Sequence, residues 1–495
     1  MASIEELRDT RIKKIELLKE AGMNPYPSSV PRDYTISEIK NKFEELVQAS
    51  EEENISTAGR VMIVRGQGAI LFVVLQSESE RFQAVLKKDE LAEELFNLFT
   101  STVDNGDFIG VKGSLFVTKR GEQSLLIKDW YMVTKSLLPL PDKWHGLQDQ
   151  EETYRKRYLD LLMDKDVYSR FILRSKVVKA IRRFFDDKDF LEIETPILQN
   201  QAGGAMAKVF ETHHNDFDMP MVLRIALELD HKKLMVGGYE RVYEIGKNFR
   251  NEGSDPTHLQ EFTMLEWYAA YQTLDTNMKW TEEMIKALAI DLTGKSVFKV
   301  YDNNGDSVEV DINVEWPRVK FGELLKKDAN IDIENITLDE AKIEALKWGI
   351  KKEDVDRLGR GNLLDKIYKK SSRNKIINPT FITNFPGDLK PLAQQNNDGT
   401  AQASQLIIAG AEITNAYAEL VNPIVQRELL VSQSKAKEGG DEEAMDIDEQ
   451  FLTAMEHGMP PMTGFGMGID RIVAILTEQK NLRDVIFCPI MKPKE

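Results

Sequence analysis

Between Ile55 and Val133 the hydrophobic pattern alternates in short runs, and this stretch restricts the fold more than any other. The runs are Arg60–Val64, Ile70–Leu75, Phe82–Leu86, Phe108–Val117, Ser124–Lys128 and Tyr131–Val133, with a helical pattern over 89–99 between them. Five or six strands this short, with one helix, predict a small barrel of the OB kind.

The flanks follow a different period. Ile4, Leu7, Ile15 and Leu18 recur at helical spacing over 4–21, and Gly22 with Pro25 and Pro27 ends that helix. Interleaved glutamates favour a solvated amphipathic helix there over a basic RNA-binding arm. A second helix is expected over 36–49. The expected order is a helical extension over 1–54, the barrel over 55–137, a linker over 138–165 and a large mixed region over 166–495. In that region helical signal covers 151–187 and strands are expected near 241–250, 261–268 and 411–420. Residues 296–376 read as a peripheral stretch of mixed helices, a Gly-rich turn and helix fill 464–478, and Ser434–Glu443 reads as a mobile charged loop.

The 495 residues are too many for one core. No run of about 18 apolar residues exists to span a membrane. Cys488 is the single cysteine, so no disulfide forms within the chain and a reducing cytoplasm is the expected home. The six histidines and that cysteine show no zinc spacing, so any metal should be held by oxygen, as Mg²⁺ is. The net charge of −17 argues against nucleic acid unless local basic faces exist; residues 1–150 hold 19 Lys+Arg against 24 Asp+Glu, or −5.

Three segments carry chemistry. The first, Phe190–Leu198, reads alone as a helix running into a strand and a proline stop. The second, Arg241–Tyr268, reads as two antiparallel strands joined by a polar loop. Period two puts Phe262, Met264, Glu266 and Tyr268 on one face, poor as core but good for stacking a base and holding a charge. Arg250 and Glu252 flank the loop: a surface ion pair, or a phosphate grip. The third, Gly464–Arg471, puts glycines before a helix and an arginine in its first turn, where a bound anion would offset the helix dipole. No GxxxxGK[ST] phosphate loop occurs.

In this order, behind an OB-like domain, the segments resemble motifs 1, 2 and 3 of the class II aminoacyl-tRNA synthetases. Phe249-Arg250-Asn251-Glu252 matches the core of motif 2, and Gly466–Arg471 matches motif 3. Leu137–Leu147 and Asn415–Leu420 narrow the resemblance to the lysine enzymes. The resemblance implies an α+β chain, an OB barrel followed by an antiparallel sheet flanked by helices. It implies a ligase that joins L-lysine to tRNA(Lys) using ATP, with Mg²⁺ and without zinc, as a homodimer.

By the same resemblance Arg250 grips the α-phosphate and the amino-acid carboxylate, and with Arg471 forms the catalytic pair. Glu252 accepts from the adenine amino group, Phe262 stacks on the ring, Arg471 covers its other face and His258 touches the phosphate tail. Glu228, Glu266 and Glu419 surround the lysine, with Gly204, Tyr268, Asn415 and Tyr417 beside them. Glu412 matches a metal ligand that also serves ATP; its parity differs from that of Asn415, so a bulge is expected between them or a Glu412 side chain on the other face. In the barrel, Phe72 would stack on an anticodon base while Gln83 and Glu122 read base edges; by pattern alone Phe72 reads as core.

The chain departs from the family in four places. Gln405 stands at a usual metal-ligand glutamate, Leu259-Gln260 follow His258 where Asn-Pro is usual, Leu227 replaces a proline, and Asp230 replaces an aromatic residue. Two alternatives follow: an aspartate- or asparagine-charging relative, and a catalytically weak paralogue that Gln405 would suit. A plain OB-type nucleic-acid-binding module leaves the long region after the barrel unexplained.

Overall fold

The computed structural model describes the chain apart from residues 1–2, 67, 142–146, 148, 202, 206, 303–304, 439–446 and 495. It divides into two compact units, Met1–Tyr168 and Ser169–Glu495.

The first unit is built on a closed barrel. Its strands are β1 (Ile55–Arg65), β2 (Ile70–Ser77), β3 (Glu80–Lys87), β4 (Phe108–Val117) and β5 (Gln123–Thr134), in the order β1-β2-β3-β5-β4. The two runs expected at 124–128 and 131–133 are one strand, β5, with a register shift against β4 at Lys112/Gly113 that absorbs the break. Alternation sends Leu71, Val73, Leu75, Phe82, Ala84 and Leu86 into the barrel core. Phe72 has the opposite parity and is 38% exposed, which corrects the reading of it as core. The helix expected over 36–49 is two, Ile36–Asn41 and Phe43–Glu52, parted at Lys42.

A buried charge cluster ties the first helix, Ile4–Glu20, to the barrel. Arg11 donates to the carbonyls of Asn105, Ser136 and Leu138 at 3.0–3.1 Å. Lys135, fully buried, donates to Asp104 (2.5 Å), Asp107 (2.7 Å) and the Thr102 carbonyl (2.6 Å). The helices Gln150–Arg155 and Arg157–Met163 belong to this unit as well.

In the second unit an eight-stranded sheet runs β14-β15-β16-β17-β18-β11-β10-β6. The strands are β6 (Leu191–Glu192), β10 (Arg241–Phe249), β11 (Glu261–Ala270), β14 (Arg318–Lys320), β15 (Thr380–Pro386), β16 (Thr400–Ile408), β17 (Ala411–Ala418) and β18 (Met462–Gly468). Pairing is antiparallel except at its two ends. Beside it lie a three-stranded sheet, β7 (Leu198–Gln199), β9 (Met219–Leu223) and β8 (Glu211–His214), and a hairpin, β12 (Val297–Tyr301) with β13 (Ser307–Asp311). The stretch 296–376 is therefore more than helices: it opens on that hairpin and supplies β14. Residues 464–468, expected as a turn, are strand β18. The helix Pro423–Glu438 covers the first part of the expected loop Ser434–Glu443, and the remainder lies outside the described residues.

One face of the sheet is apolar. Leu265, Trp267 and Ala269 of β11 join Tyr243, Phe465 and Met467 in a core closed by Val177, Ile181 and Phe185 of helix Lys165–Asp186 and by helix Leu274–Thr293. Phe185 stacks on Tyr243 at 4.8 Å, and Phe190 meets Trp267 edge-on at 5.6 Å. The other face packs two further apolar clusters, one including Ile382, Ala403 and Ile407 and one including Val242, Ala270 and Met462, and is polar between them.

Lys135→Ala leaves Asp107 buried without its cation, so full-chain urea denaturation should show a loss of about 3–5 kcal/mol in the barrel transition.

Candidate active site

The polar face of the sheet floors a cavity of about 530 Å³. The residues assigned to ATP, lysine or metal from the sequence in the second unit, from Gly204 to Arg471, all line it, and they come from six places in the chain. Phe262, Met264, Glu266 and Tyr268 face it from alternate positions of β11, as period two requires. Glu412, Asn415 and Tyr417 face it from β17, with Glu419 just beyond. The parity conflict between Glu412 and Asn415 is resolved by a bulge: Leu406 pairs with Thr414 but Ile407 pairs with Glu412, which leaves Ile413 over.

At one end three carboxylates meet. Glu228 opens helix Glu228–Val236, Glu266 stands on β11, and all three glutamates are buried. A fully buried ammonium sits among them. Lys232, one turn after Glu228, lies 2.6 Å from Glu228 Oε1 and 2.5 Å from Glu419 Oε2. Burial works against its charge, but the two carboxylates outweigh that and raise its pKa. Oε1 of Glu419 has no hydrogen-bond partner among the described residues. Gly464 of β18 makes room for it: a Cβ there would stand 2.1 Å from Glu419 Oε1 and 2.4 Å from the Tyr268 ring. Burial pushes the phenols of Tyr268 and Tyr417 up, so both remain donors.

Glu266 lacks such an ammonium. Burial, then the charge of Glu228, pushes its pKa to about 8. The Leu227 N–H donates to its Oε1 at 3.3 Å and opposes the rise. A proline at 227 would have no N–H to give, so this departure creates a contact. Asp230, the neighbouring departure, faces away from the cavity: it accepts from Gln199 Nε2 at 2.9 Å and from Lys233 at 3.3 Å.

The other end is cationic. The Arg250 guanidinium lies 5.1 Å from the Phe262 ring centroid and 3.4 Å from the Ile225 carbonyl. Among the described residues it makes no ion pair with Glu252, which is exposed, so the surface-pair reading fails. Arg471, on the first turn of helix Ile469–Leu476, donates to the Glu412 carbonyl at 2.7 Å. Burial pulls the pKa of both arginines down. His258 is exposed at the cavity rim, with Nδ1 2.9 Å from Asp255. The second departure closes the base of this loop: Arg250 N–H donates to the Gln260 carbonyl at 2.8 Å, and Gln260 Nε2 to the Glu252 carbonyl at 3.2 Å.

Beneath the motif 2 strand lies a network that the sequence did not announce. Arg224 donates to Glu244 Oε1 (2.8 Å) and to the Thr195 carbonyl (2.8 Å), while Thr195 and His231 hold Glu244 Oε2 at 2.7 and 3.1 Å. It fixes β10 and the segment after β6 in register. Asn362, Asp365, Lys369 and Lys390 also line the cavity and were not foreseen.

For a metal, the donors at hand are the Glu412 carboxylate and the Gln405 amide oxygen; among the described residues no group of three or more His, Cys, Asp or Glu is placed to hold an ion. That set fits Mg²⁺ carried largely by a nucleotide's own phosphates. In the barrel, Phe72 and Gln83 lie on the outward face, and Gln83 Nε2 donates to Ser124 Oγ at 2.8 Å. Glu122 is exposed in the turn before β5. Of the stretch Leu137–Leu147, residues 142–146 lie outside those described. No helix among the described residues is long and apolar enough to cross a membrane.

Comparison with known proteins agrees with this geometry. Residues 149–492 match the family model described as "tRNA synthetases class II (D, K and N)", and residues 55–133 match "OB-fold nucleic acid binding domain". The "Lysine--tRNA ligase" of Parasynechococcus marenigrum (strain WH8102) is 41% identical over 497 residues, covering 99% of this chain and 98% of that protein. The one from Thermosipho africanus (strain TCF52B) is 38% identical, covering 99% and 97%. The barrel, the sheet with its three motifs and full-length relatives at this identity place the chain in the class II tRNA synthetase family of the D, K and N group.

Proposed function

We infer that this chain is a lysine–tRNA ligase: it activates L-lysine with ATP and transfers it to the 3′ end of tRNA(Lys). The observation that carries this is the buried triad Glu228, Glu266 and Glu419, with an unpartnered oxygen on Glu419, beside the arginine-lined half of the same cavity. An aspartate pocket would need a cation where this one has carboxylates.

The reaction needs no covalent enzyme intermediate. The lysine carboxylate attacks the α-phosphorus in line, pyrophosphate leaves, and a ribose hydroxyl of the tRNA then displaces AMP from the adenylate. The protein positions the reactants and neutralises charge. Arg250 spans the carboxylate and the α-phosphate, and with Phe262 and Arg471 holds the nucleotide. Glu252 accepts from adenine and His258 meets the phosphate tail. Glu228, Glu266 and Glu419 surround the lysine with negative charge, and Gly204, Tyr268, Asn415 and Tyr417 lie beside them. Glu412, with Gln405 offering at most a neutral oxygen, would hold Mg²⁺ together with the phosphates, and the ion would supply charge screening there. Phe72, Gln83 and Glu122 meet the anticodon.

The reading divides the chain into 1–54, the barrel 55–137, a linker 138–165 and the catalytic region 166–495. It makes the enzyme a cytoplasmic homodimer through the segment around Phe190–Leu198, where Leu191, Ile197 and Leu198 are exposed.

Pyrophosphate exchange measured with each standard amino acid should respond to lysine alone, and exchange driven by aspartate or asparagine would overturn the assignment. In the same assay Glu419→Gln should lower kcat/KM for lysine by about a hundredfold or more, since it strands a buried cation.

Glu266 gives a pH dependence. With a pKa near 8 it is largely protonated at pH 7 in the free enzyme. A bound ammonium favours its ionised form, so binding expels the proton, and lysine affinity should fall as pH drops below about 8. Burial raises Glu419 to about 8 as well, so calorimetry at pH 7 in buffers of different ionisation enthalpy should register proton release on lysine binding, and Glu266→Gln should reduce it.

Phe72→Ala removes a stacking surface worth about 1–3 kcal/mol, so the KM for tRNA(Lys) in the charging assay should rise about tenfold.

A further inference from the structure

One lysine on the cavity wall has no carboxylate partner among the described residues. Lys390 follows the short 3-10 turn Gly387–Leu389. Its Nζ lies 3.3 Å from Asn415 Oδ1, 5.6 Å from the Tyr417 ring centroid and 5.1 Å from that of Phe385. Among the described residues no carboxylate is within ion-pair reach; Glu412, Asp365 and Glu228 act on it only from farther off. Of the other cationic side chains of the wall, Lys369 meets a carboxylate, while the two arginines, like Lys390, meet neutral oxygens and are already assigned to the nucleotide. Lys369 pairs with Asp365 at 2.5 Å, Arg471 donates to the Glu412 carbonyl, and Arg250 faces the Ile225 carbonyl. An unpaired ammonium in a cavity is costly unless an anion arrives to meet it.

Gln405 is the second observation. Its Nε2 lies 3.5 Å from the same Asn415 Oδ1, so the uncharged amide and the ammonium converge on one oxygen. At this spot the chain holds one negative charge fewer than a glutamate would bring, and one fixed positive charge. The carboxylates that act on Lys390 include Glu412 of the nucleotide end and Glu228 of the amino-acid end.

We propose that Lys390 is an anion-binding residue of the reaction centre: its ammonium meets phosphoryl oxygens of the nucleotide and supplies, as part of the protein, positive charge that metal ions would otherwise bring. This rests on reading the cavity as the site of lysine activation. A lysine serves phosphate as a point charge, and such a charge-assisted bond is worth about tenfold or more in affinity. The enzyme consequently keeps nucleotide affinity when Mg²⁺ is scarce.

Isothermal titration of the full chain with ATP, in EDTA and again in excess Mg²⁺, tests this against Lys390→Met and Lys390→Arg. Thermal melts check that both variants are folded, and methionine relieves the cost of the unpaired charge rather than adding one. The expected result is that Lys390→Met weakens ATP binding about tenfold or more in EDTA and less in Mg²⁺, while Lys390→Arg restores most of it. Parallel titrations with L-lysine and lysinol, which lacks the carboxylate, separate the two anions. A loss confined to lysine would assign the ammonium to the carboxylate and overturn the metal-sparing role, as would ATP affinities that the methionine leaves unchanged. If the unaltered chain binds ATP in neither condition, the reading of the cavity itself falls, and this inference with it.

Discussion

The ammonium of Lys232 lets Glu228 and Glu419 share a buried cavity wall with Glu266. Without it Glu228 and Glu419 would repel each other with nothing between them; even with it burial holds the Glu419 carboxyl up at about 8. With it, helix Glu228–Val236 is tied to the end of β17, and the cavity is preformed on that side. Its negative charge is thereby divided between carboxylates already neutralised and those left for a ligand: Glu419 keeps an open oxygen and Glu266 stores its need for a cation as a raised pKa.

The charges at the two ends follow from one property of strands. Along β11 the odd positions Leu265, Trp267 and Ala269 go to the core while the even positions build the floor of the cavity. That division was legible before any coordinates, because period two leaves no freedom once one face is apolar. The conflict at Glu412 was legible for the same reason, since two residues expected to act together stood on opposite parities; of the two ways out, a bulge or a side chain on the other face, the chain takes the bulge at Ile413.

Other features were hidden for reasons equally physical. The glycines of β18 look like a turn, since glycine has no preference for strands; at Gly464 the reason is that Glu419 and Tyr268 occupy the space a side chain would fill, and at Gly466 a Cβ would press on Met264 at 3.1 Å. The alternating runs of the barrel say which residues share a face, not which face looks inward, so Phe72 was ambiguous. Lys390, Arg224 and His231 act through partners distant in the chain, in turns or on a helix whose pattern gives no hint of them. The resemblance to known enzymes located the residues of the cavity, while the partners that hold those residues came from the geometry.

The bare backbone of Gly464 has a further consequence for how this pocket can change. Its missing methyl group is the space in which Glu419 and Tyr268 rest, so even alanine at that position collides with the group that distinguishes a charged substrate. Attempts to widen the enzyme toward other amino acids are closed along that wall. The softer side is that of Asn415 and Tyr417, which are only partly buried and bonded chiefly to each other, and remodelling the specificity has its room there.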